Sequence, residues 1–290
     1  MRTGYLGPPG TYSEEAVKAS ADLAAIEMVP MPTIYDTVLA VHEGGLDRAL
    51  VPIENSLEGS VNATLDALAL EASDVVIVGE VVHPIRHCLL AREPVDLEAV
   101  RTVISHPQAS AQCARFIRTR LPGARVIAAA STAEAVRLVA ETSDPEQGPW
   151  AAVGNRAAGA LYGCVVLRAG VEDVADNETR FIWIARQGTA AASESPAMRP
   201  GAAFKSSLVF WGVGADAPGW LVRCLSEFAF RGVNLSRIES RPLKEGLGSY
   251  MFFLDCEGAV SDTPVAEAIL AVSRHAQEVR VLGSYPAASG

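Results

Sequence analysis

Arg2-Thr3-Gly4-Tyr5-Leu6-Gly7-Pro8-Pro9-Gly10-Thr11-Tyr12-Ser13-Glu14-Glu15-Ala16-Val17 opens the chain and contains the unit from which most of it is built. Arg2–Leu6 reads as a strand, a Gly/Pro turn follows, and Thr11 with Glu14 forms the T-x-x-E of a capping box at the start of a helix over Ser13–Ala21. The alternation continues outward. Strands are predicted at Ile26–Met31, Arg48–Ile53, Val75–Val82, Cys88–Ala91, Arg101–Ser105, Arg125–Ala129, Ala151–Gly154, Val165–Ala169 and Phe181–Ala185. Helices are predicted at Thr33–Glu43, Asn62–Leu70, Ala109–Arg120 and Thr132–Glu141, the last capped by Ser131 with Glu134. Strand and helix in turn predict an α/β fold with largely parallel sheets over residues 1–186.

Residues 187–203 are rich in Ala, Ser, Gly and Pro without periodicity and read as a linker. A second pattern fills 204–290. It runs strand Ser207–Val213, helix Trp220–Phe230, strand Val233–Arg241, strand Tyr250–Cys256, helix Val265–His275 and strand Val279–Ser284. Leu221, Val222, Leu225, Phe228 and Ala229 make the apolar stripe of the first helix; Thr263 and Pro264 suit the N-cap and N1 of the second. The order β-α-β-β-α-β is ferredoxin-like.

Bulk properties narrow the function. A chain of 290 residues suggests two domains and can bury sizeable cores. The formal net charge of −10 argues against a nucleic-acid partner, and an anionic ligand needs a local positive site. Cys88, Cys113, Cys164, Cys224 and Cys256 are odd in number, widely spaced and form no C-x-x-C, which favours a reducing cytoplasm over disulfides or zinc. No signal-peptide core or membrane-length apolar run is found. The sequence has no H-E-x-x-H, no EF-hand loop and no G-x-S-x-G with a plausible triad. His42, His83, His87 and His275 lack ligand spacing, so no cofactor is expected. Gly7–Ser13 lacks the G-K-[ST] of a P-loop but can hold an anion on free N–H groups.

Three separated segments concentrate small polar groups where strands give way to loops: Pro52-Ile53-Glu54-Asn55-Ser56, Ser105-His106-Pro107-Gln108 with Gln112 and Cys113 beyond it, and Asn177-Glu178-Thr179-Arg180-Phe181. Together with the Gly7–Ser13 loop they resemble the prephenate dehydratases, which dehydrate and decarboxylate prephenate to phenylpyruvate on the route to phenylalanine. The resemblance runs from Gly4 to about Pro286. It implies a two-lobed catalytic part like the type II periplasmic binding proteins, with the site between the lobes. It implies catalytic roles for Thr179, Asn55, Gln112 and Ser105, and substrate contacts from Phe181, Ser56, Thr11 and Ser13. Thr11 also suits an N-cap. Glu54 is either an acid or a structural partner. Arg180 either pairs with a substrate carboxylate through its planar fork or makes a structural ion pair. His106 reads as structural, and Cys113 as a packed thiol.

The C-terminal pattern resembles an ACT domain through Asp216-Ala217-Pro218-Gly219-Trp220-Leu221-Val222 and Ile238-Glu239-Ser240-Arg241-Pro242. In the family these segments bind phenylalanine between paired domains, which implies a homodimer or homotetramer and an effector site at Gly219, Trp220, Leu221, Val222, Asn234, Glu239, Ser240, Arg241 and Pro242. Trp220 stands where the family usually has alanine and is expected to narrow or reshape the effector pocket, the alternatives to phenylalanine binding being a different effector, a different sign of response, or a Trp220 turned away into an interface. Alternatives to the prephenate reaction are the same scaffold acting on arogenate, a decarboxylase without dehydration, or a non-catalytic sensor of aromatic precursors; fold alone does not separate them.

Overall fold

The protein is described by a computed structural model over residues 1–142, 148–193, 203–212 and 217–288. The first lobe comprises β1 (Arg2–Leu6), α1 (Tyr12–Ser20), β2 (Glu27–Met31), α2 (Ile34–His42), β3 (Arg48–Asn55), β4 (Gly59–Ser60), α3 (Asn62–Asp66) and β5 (Val75–Pro84). The second lobe comprises β6 (Cys88–Ala91), β7 (Thr102–Ser105), α4 (Pro107–Gln112), α5 (Ala114–Arg120), β8 (Arg125–Ala128), α6 (Thr132–Glu141), β9 (Trp150–Gly154), α7 (Arg156–Tyr162) and β10 (Val165–Ala169). The chain then returns to the first lobe as β11 (Glu178–Arg186) and α8 (Ala190–Ser193). The C-terminal unit is β12 (Phe204–Trp211), α9 (Trp220–Ala229), β13 (Leu235–Pro242), β14 (Tyr250–Glu257), α10 (Thr263–Val272) and β15 (Glu278–Pro286).

Two lobes, each with its own sheet, meet the expectation of an α/β two-lobed part. The second lobe has the strand order β10-β6-β9-β7-β8. The sheets are more mixed than expected: β1 runs parallel to β2 and β3, but β11 runs antiparallel to both β3 and β5. The reason is the double crossing. A chain that leaves through β5 and comes back through β11 inserts the returning strand head-to-tail between its neighbours. The β11 interior Phe181-Ile182-Trp183-Ile184-Ala185 is buried throughout, as a strand covered on both faces must be.

The predicted caps form. Thr11 Oγ1 accepts from the Glu14 amide (3.4 Å), while the Glu14 carboxylate takes the Gly10 amide (2.5 Å). Ser131 Oγ accepts from the Glu134 amide (3.0 Å). The helix expected at Ala109–Arg120 starts earlier, at Pro107, and breaks at Cys113 into α4 and α5. The cap of α10 is Asp262, not Thr263. The short α7 had no counterpart in the sequence reading; Asn155 caps it by accepting from the Ala158 amide (2.7 Å).

The C-terminal sheet has the order β13-β14-β12-β15, the ferredoxin-like arrangement expected, with α9 and α10 packed together over it. It does not stand apart. Its edge strand β15 pairs in parallel with β5 at Gly283 and Ile77, so one ten-stranded sheet runs through both units. A Cβ on Gly283 would lie 2.2 Å from the Ile77 carbonyl oxygen, so only glycine permits this approach. Of the stretch read as a linker, Ala190–Ser193 is helical and Ala191 is buried against the first lobe; residues 194–202 lie outside the described residues, as do Asp216 and Val213.

Candidate active site

Between the lobes lies a cavity of about 250 Å³, lined among others by Thr11, Tyr12, Ser13, Asn55, His87, Gln112, Asn177, Thr179 and Phe181. The register of β3 against β11 builds its floor. Thr179 faces Asn55 and Arg180 faces Glu54 across the pair. Successive side chains leave a strand on opposite faces, so Asn55 and Thr179 enter the cleft together and Glu54 and Arg180 leave it together.

Asn55 is the hub. Its Nδ2 shares two hydrogens among three acceptors: Thr179 Oγ1 (2.9 Å), Asn177 Oδ1 (2.8 Å) and the Glu178 carbonyl (3.0 Å). Its Oδ1 accepts from the amides of Leu57 (3.0 Å) and Glu58 (3.1 Å), which fixes the amide's orientation. Because Thr179 Oγ1 accepts a hydrogen bond from Asn55, its own O–H is left to donate into the cleft. Gln112 reaches in from the second lobe: its Oε1 accepts from Asn177 Nδ2 (3.0 Å) and faces His87 Nε2 (3.1 Å), and its Nε2 donates to Glu58 (3.3 Å). Nine-tenths-buried Ser13 lines the cavity at the start of α1. Thr11, also lining it, donates to the Leu6 carbonyl (2.8 Å) as well as capping α1.

Other expected site residues are placed elsewhere. Ser105 is wholly buried, donates to the Val153 carbonyl of the adjacent strand β9 (2.7 Å) and is not among the residues that line the cavity. Ser56 clamps the loop ends by accepting from the Glu178 amide (3.0 Å). Arg180 is structural: it pairs with Glu80 (2.6 Å), Asp255 (2.6 Å) and Glu54 (3.3 Å) and donates to Tyr285 Oη (2.9 Å), behind the cleft and against the C-terminal unit. Glu54 belongs to the same cluster, with Arg237 at 3.7 Å. Burial would raise the Asp255 pKa, but Arg180 and the Ser207 hydroxyl override it and hold the carboxyl below its usual range.

In the C-terminal unit Trp220 is a core residue: it packs on Phe210 and Phe252, and its Nε1 donates to the His275 carbonyl (2.7 Å), so its side chain is turned into the unit's own interior. Gly219 precedes α9 with φ of 79°; Leu221 packs partly inward and Val222 is exposed. Asn234 donates to Glu257 (2.8 Å). On β13, Glu239 accepts from Ser60 (2.6 Å) and Arg241 holds Asp66 in a fork (3.0 and 3.0 Å), so both face the first lobe, while Ser240 and Pro242 face outward.

Sequence reasoning missed His87 and Tyr12, which no spacing marks, since Tyr12 Oη and His87 Nδ1 meet at 2.9 Å from 75 residues apart. Asn177 stood in plain view inside the quoted pentapeptide. Among the described residues no cluster of His, Cys, Asp and Glu fits a metal ion, and no helix is long and apolar enough to cross a membrane.

Comparison with known proteins identifies the family. The prephenate dehydratase family model matches residues 3–189. Prephenate dehydratase of Amycolatopsis methanolica is 39% identical over 290 residues, covering 100% of this chain and 90% of the relative. Among solved structures, prephenate dehydratase of Arthrobacter aurescens in complex with L-Phe superposes with a TM-score of 0.86 at 36% identity, covering 99% of this chain and 90% of that one. GqqA, described as a novel type of quorum quenching acylase, superposes at 0.81 with 31% identity, covering 99% and 98%. On the matched domain and the full-length relatives, the chain belongs to the prephenate dehydratase family.

Proposed function

We propose that the cleft converts prephenate to phenylpyruvate, water and CO2, with Thr179 as the donor to the departing ring hydroxyl. The observation that carries this is the Asn55 Nδ2 to Thr179 Oγ1 hydrogen bond of 2.9 Å, which aims the threonine proton at the cavity. As the ring carboxylate leaves as CO2, its C–C bonding pair enters the ring and expels the hydroxyl, which departs as water on taking a proton. The ring becomes aromatic and no oxidant is needed. A threonine hydroxyl is a weak acid, so positioning and the electrostatics of a walled cleft supply much of the effect. The start of α1 at Tyr12 and Ser13 and the start of α6 at Thr132 both line the cavity, and helix N-termini favour carboxylates. In the acylase reading Thr179 would need a general base, yet its neighbour Asn55 donates to it.

The decisive assay is phenylpyruvate formation from prephenate. Thr179→Val should lose about 10²–10⁴-fold in kcat, while Thr179→Ser, which keeps the hydroxyl, retains most of it. A fully active, folded Thr179→Val sinks the mechanism. Comparing kcat/KM for prephenate and arogenate decides between the keto and amino substrates.

The C-terminal unit is proposed as an ACT-type sensor, following the L-Phe bound by the Arthrobacter relative. Its Glu239 and Arg241 touch Ser60 and Asp66, next to the loop that carries Asn55, a direct mechanical route from sensor to site. The effector site is proposed between two copies of this unit, around Gly219 and the outward face of β13, in a cytoplasmic homodimer or homotetramer. L-Phe added to the turnover assay, together with sedimentation, tests both parts.

A further inference from the structure

His87 is 2% exposed, and its backbone is clamped where the chain crosses between the lobes. Its N–H donates to the Glu172 carboxylate (2.9 Å), and its carbonyl accepts from the amides of Gly170 (3.0 Å) and Val171 (3.1 Å). Next to it, the Ile85 amide donates to the Asn177 carbonyl (2.8 Å), tying the outgoing crossing to the returning one. The imidazole is therefore delivered into the cleft on a fixed base.

Its proton can be assigned from its neighbours. The Gln112 amide is oriented by two bonds: Asn177 donates to its oxygen and its NH2 donates to Glu58. An amide oxygen only accepts, so the His87 Nε2 at 3.1 Å must carry a hydrogen. Nδ1 faces the Tyr12 hydroxyl at 2.9 Å, and the two rings meet edge-on at 5.7 Å. A neutral ring with hydrogen on Nε2 requires Tyr12 to give its single hydroxyl hydrogen to Nδ1 in preference to the Arg86 carbonyl, which lies at 2.8 Å. Burial pushes the His87 pKa below the ordinary histidine value, against the hydrogen bond to Gln112 and the charge of Glu172.

A directed chain results. Tyr12 belongs to the first lobe, His87 to the hinge, Gln112 to the second lobe, Asn177 to the returning crossing, and Asn55 and Thr179 to the first lobe again. We propose that His87 is a positioning residue for the dehydration. Its Nε2–H adds a third bond to the Gln112 amide and, through Asn177, braces the Asn55 amide that the Leu57 and Glu58 N–H groups orient, and with it the direction in which Thr179 donates. It also locks the second lobe's contribution in register with the first. The inference rests on the reading of Thr179 as the donor.

The test is prephenate turnover by full-length His87→Phe and His87→Gln, with Thr179→Val and the double variant His87→Phe/Thr179→Val alongside. His87→Phe keeps the ring's bulk and loses both nitrogens; kcat should fall about 10–100-fold, as when a group supporting a site residue is removed, with KM changed by less than about threefold. His87→Gln restores an amide donor near Nε2 and should recover kcat to within about fivefold of wild type. At high enzyme concentration the double variant should be no slower than Thr179→Val alone, because His87 acts through that hydroxyl. Nitrogen NMR of histidine-labelled wild-type protein should show the Nε2–H tautomer at His87, a readout that needs no variant to fold. Wild-type kcat in His87→Phe, a further loss in the double variant, no rescue by glutamine, or an Nδ1–H tautomer would overturn the proposal. If Thr179→Val is fully active, the reading of the site fails instead, and the two failures are thereby distinguished.

Discussion

Replacing Arg180 by methionine tests where the arginine of Thr179-Arg180-Phe181 points. Its guanidinium, 11% exposed, closes contacts of 2.6 Å to Glu80 and 2.6 Å to Asp255 and one of 2.9 Å to Tyr285. Methionine fills much of the volume but leaves two carboxylates, each 2% exposed. They are not equally stranded. Glu80 keeps Lys205 Nζ (2.8 and 3.0 Å) and the Ala288 amide (2.9 Å). Of its close partners Asp255 keeps the Ser207 hydroxyl at 2.6 Å, which is neutral. Orphaning a buried ion costs about 3–5 kcal/mol, and with one of the two carboxylates still paired the loss should fall near ~3 kcal/mol. For a chain of this size that is a fall of roughly 6–12 °C in Tm by calorimetry. Arg180→Met/Asp255→Asn removes the stranded charge and should recover about 2 kcal/mol of the loss. At a temperature where Arg180→Met is folded, KM for prephenate should stay within about threefold of wild type. A variant that melts within about 2 °C of wild type but raises KM more than about tenfold would refute the reasoning and turn the guanidinium to the substrate.

The same cluster makes stability pH-dependent. The folded pKa of Asp255 is held below its unfolded value of about 3.9, so its contribution is fully present above that pH and is lost as pH falls through the folded value; Tm of the wild type should therefore drop more steeply than that of Asp255→Asn between about pH 5 and pH 2. In the C-terminal unit, Trp220→Phe keeps the ring among Phe210 and Phe252 but leaves the His275 carbonyl without its donor. It should cost about 1–2 kcal/mol in denaturant unfolding and leave L-Phe affinity by calorimetry unchanged, whereas tighter L-Phe binding would return Trp220 to the effector pocket.

The fold was legible where local signals agreed with the tertiary result. Thr11 with Glu14 and Ser131 with Glu134 cap their helices, and the β-α-β-β-α-β order yields the predicted four-stranded sheet. Strand direction was not legible in the same way. A buried strand such as β11 is apolar on both faces, so its composition is indifferent to whether its neighbours run with it or against it. Nor was the junction of the two sheets. It turns on Gly283, and a lone glycine in a strand signals close backbone approach without saying to what.

The site shows a sharper limit of the same kind. Thr179-Arg180 and Glu54-Asn55 are adjacent pairs, and period-two alternation guarantees that one member of each enters the cleft and the other leaves it. It does not say which. Once β3 and β11 pair Thr179 with Asn55 and Arg180 with Glu54, the choice becomes collective: the two neutral polar groups share one face and the two charges the other. The charged face meets Asp255, Tyr285 and Arg237 of the C-terminal unit. On a single strand, one residue apart, Thr179 thus lines the cleft and Arg180 carries the attachment of the second unit. Displacing the second unit from Arg180 must therefore load the segment that presents Thr179. β11 thereby joins the Glu239–Ser60 and Arg241–Asp66 contacts as a structural link between the C-terminal unit and the cleft.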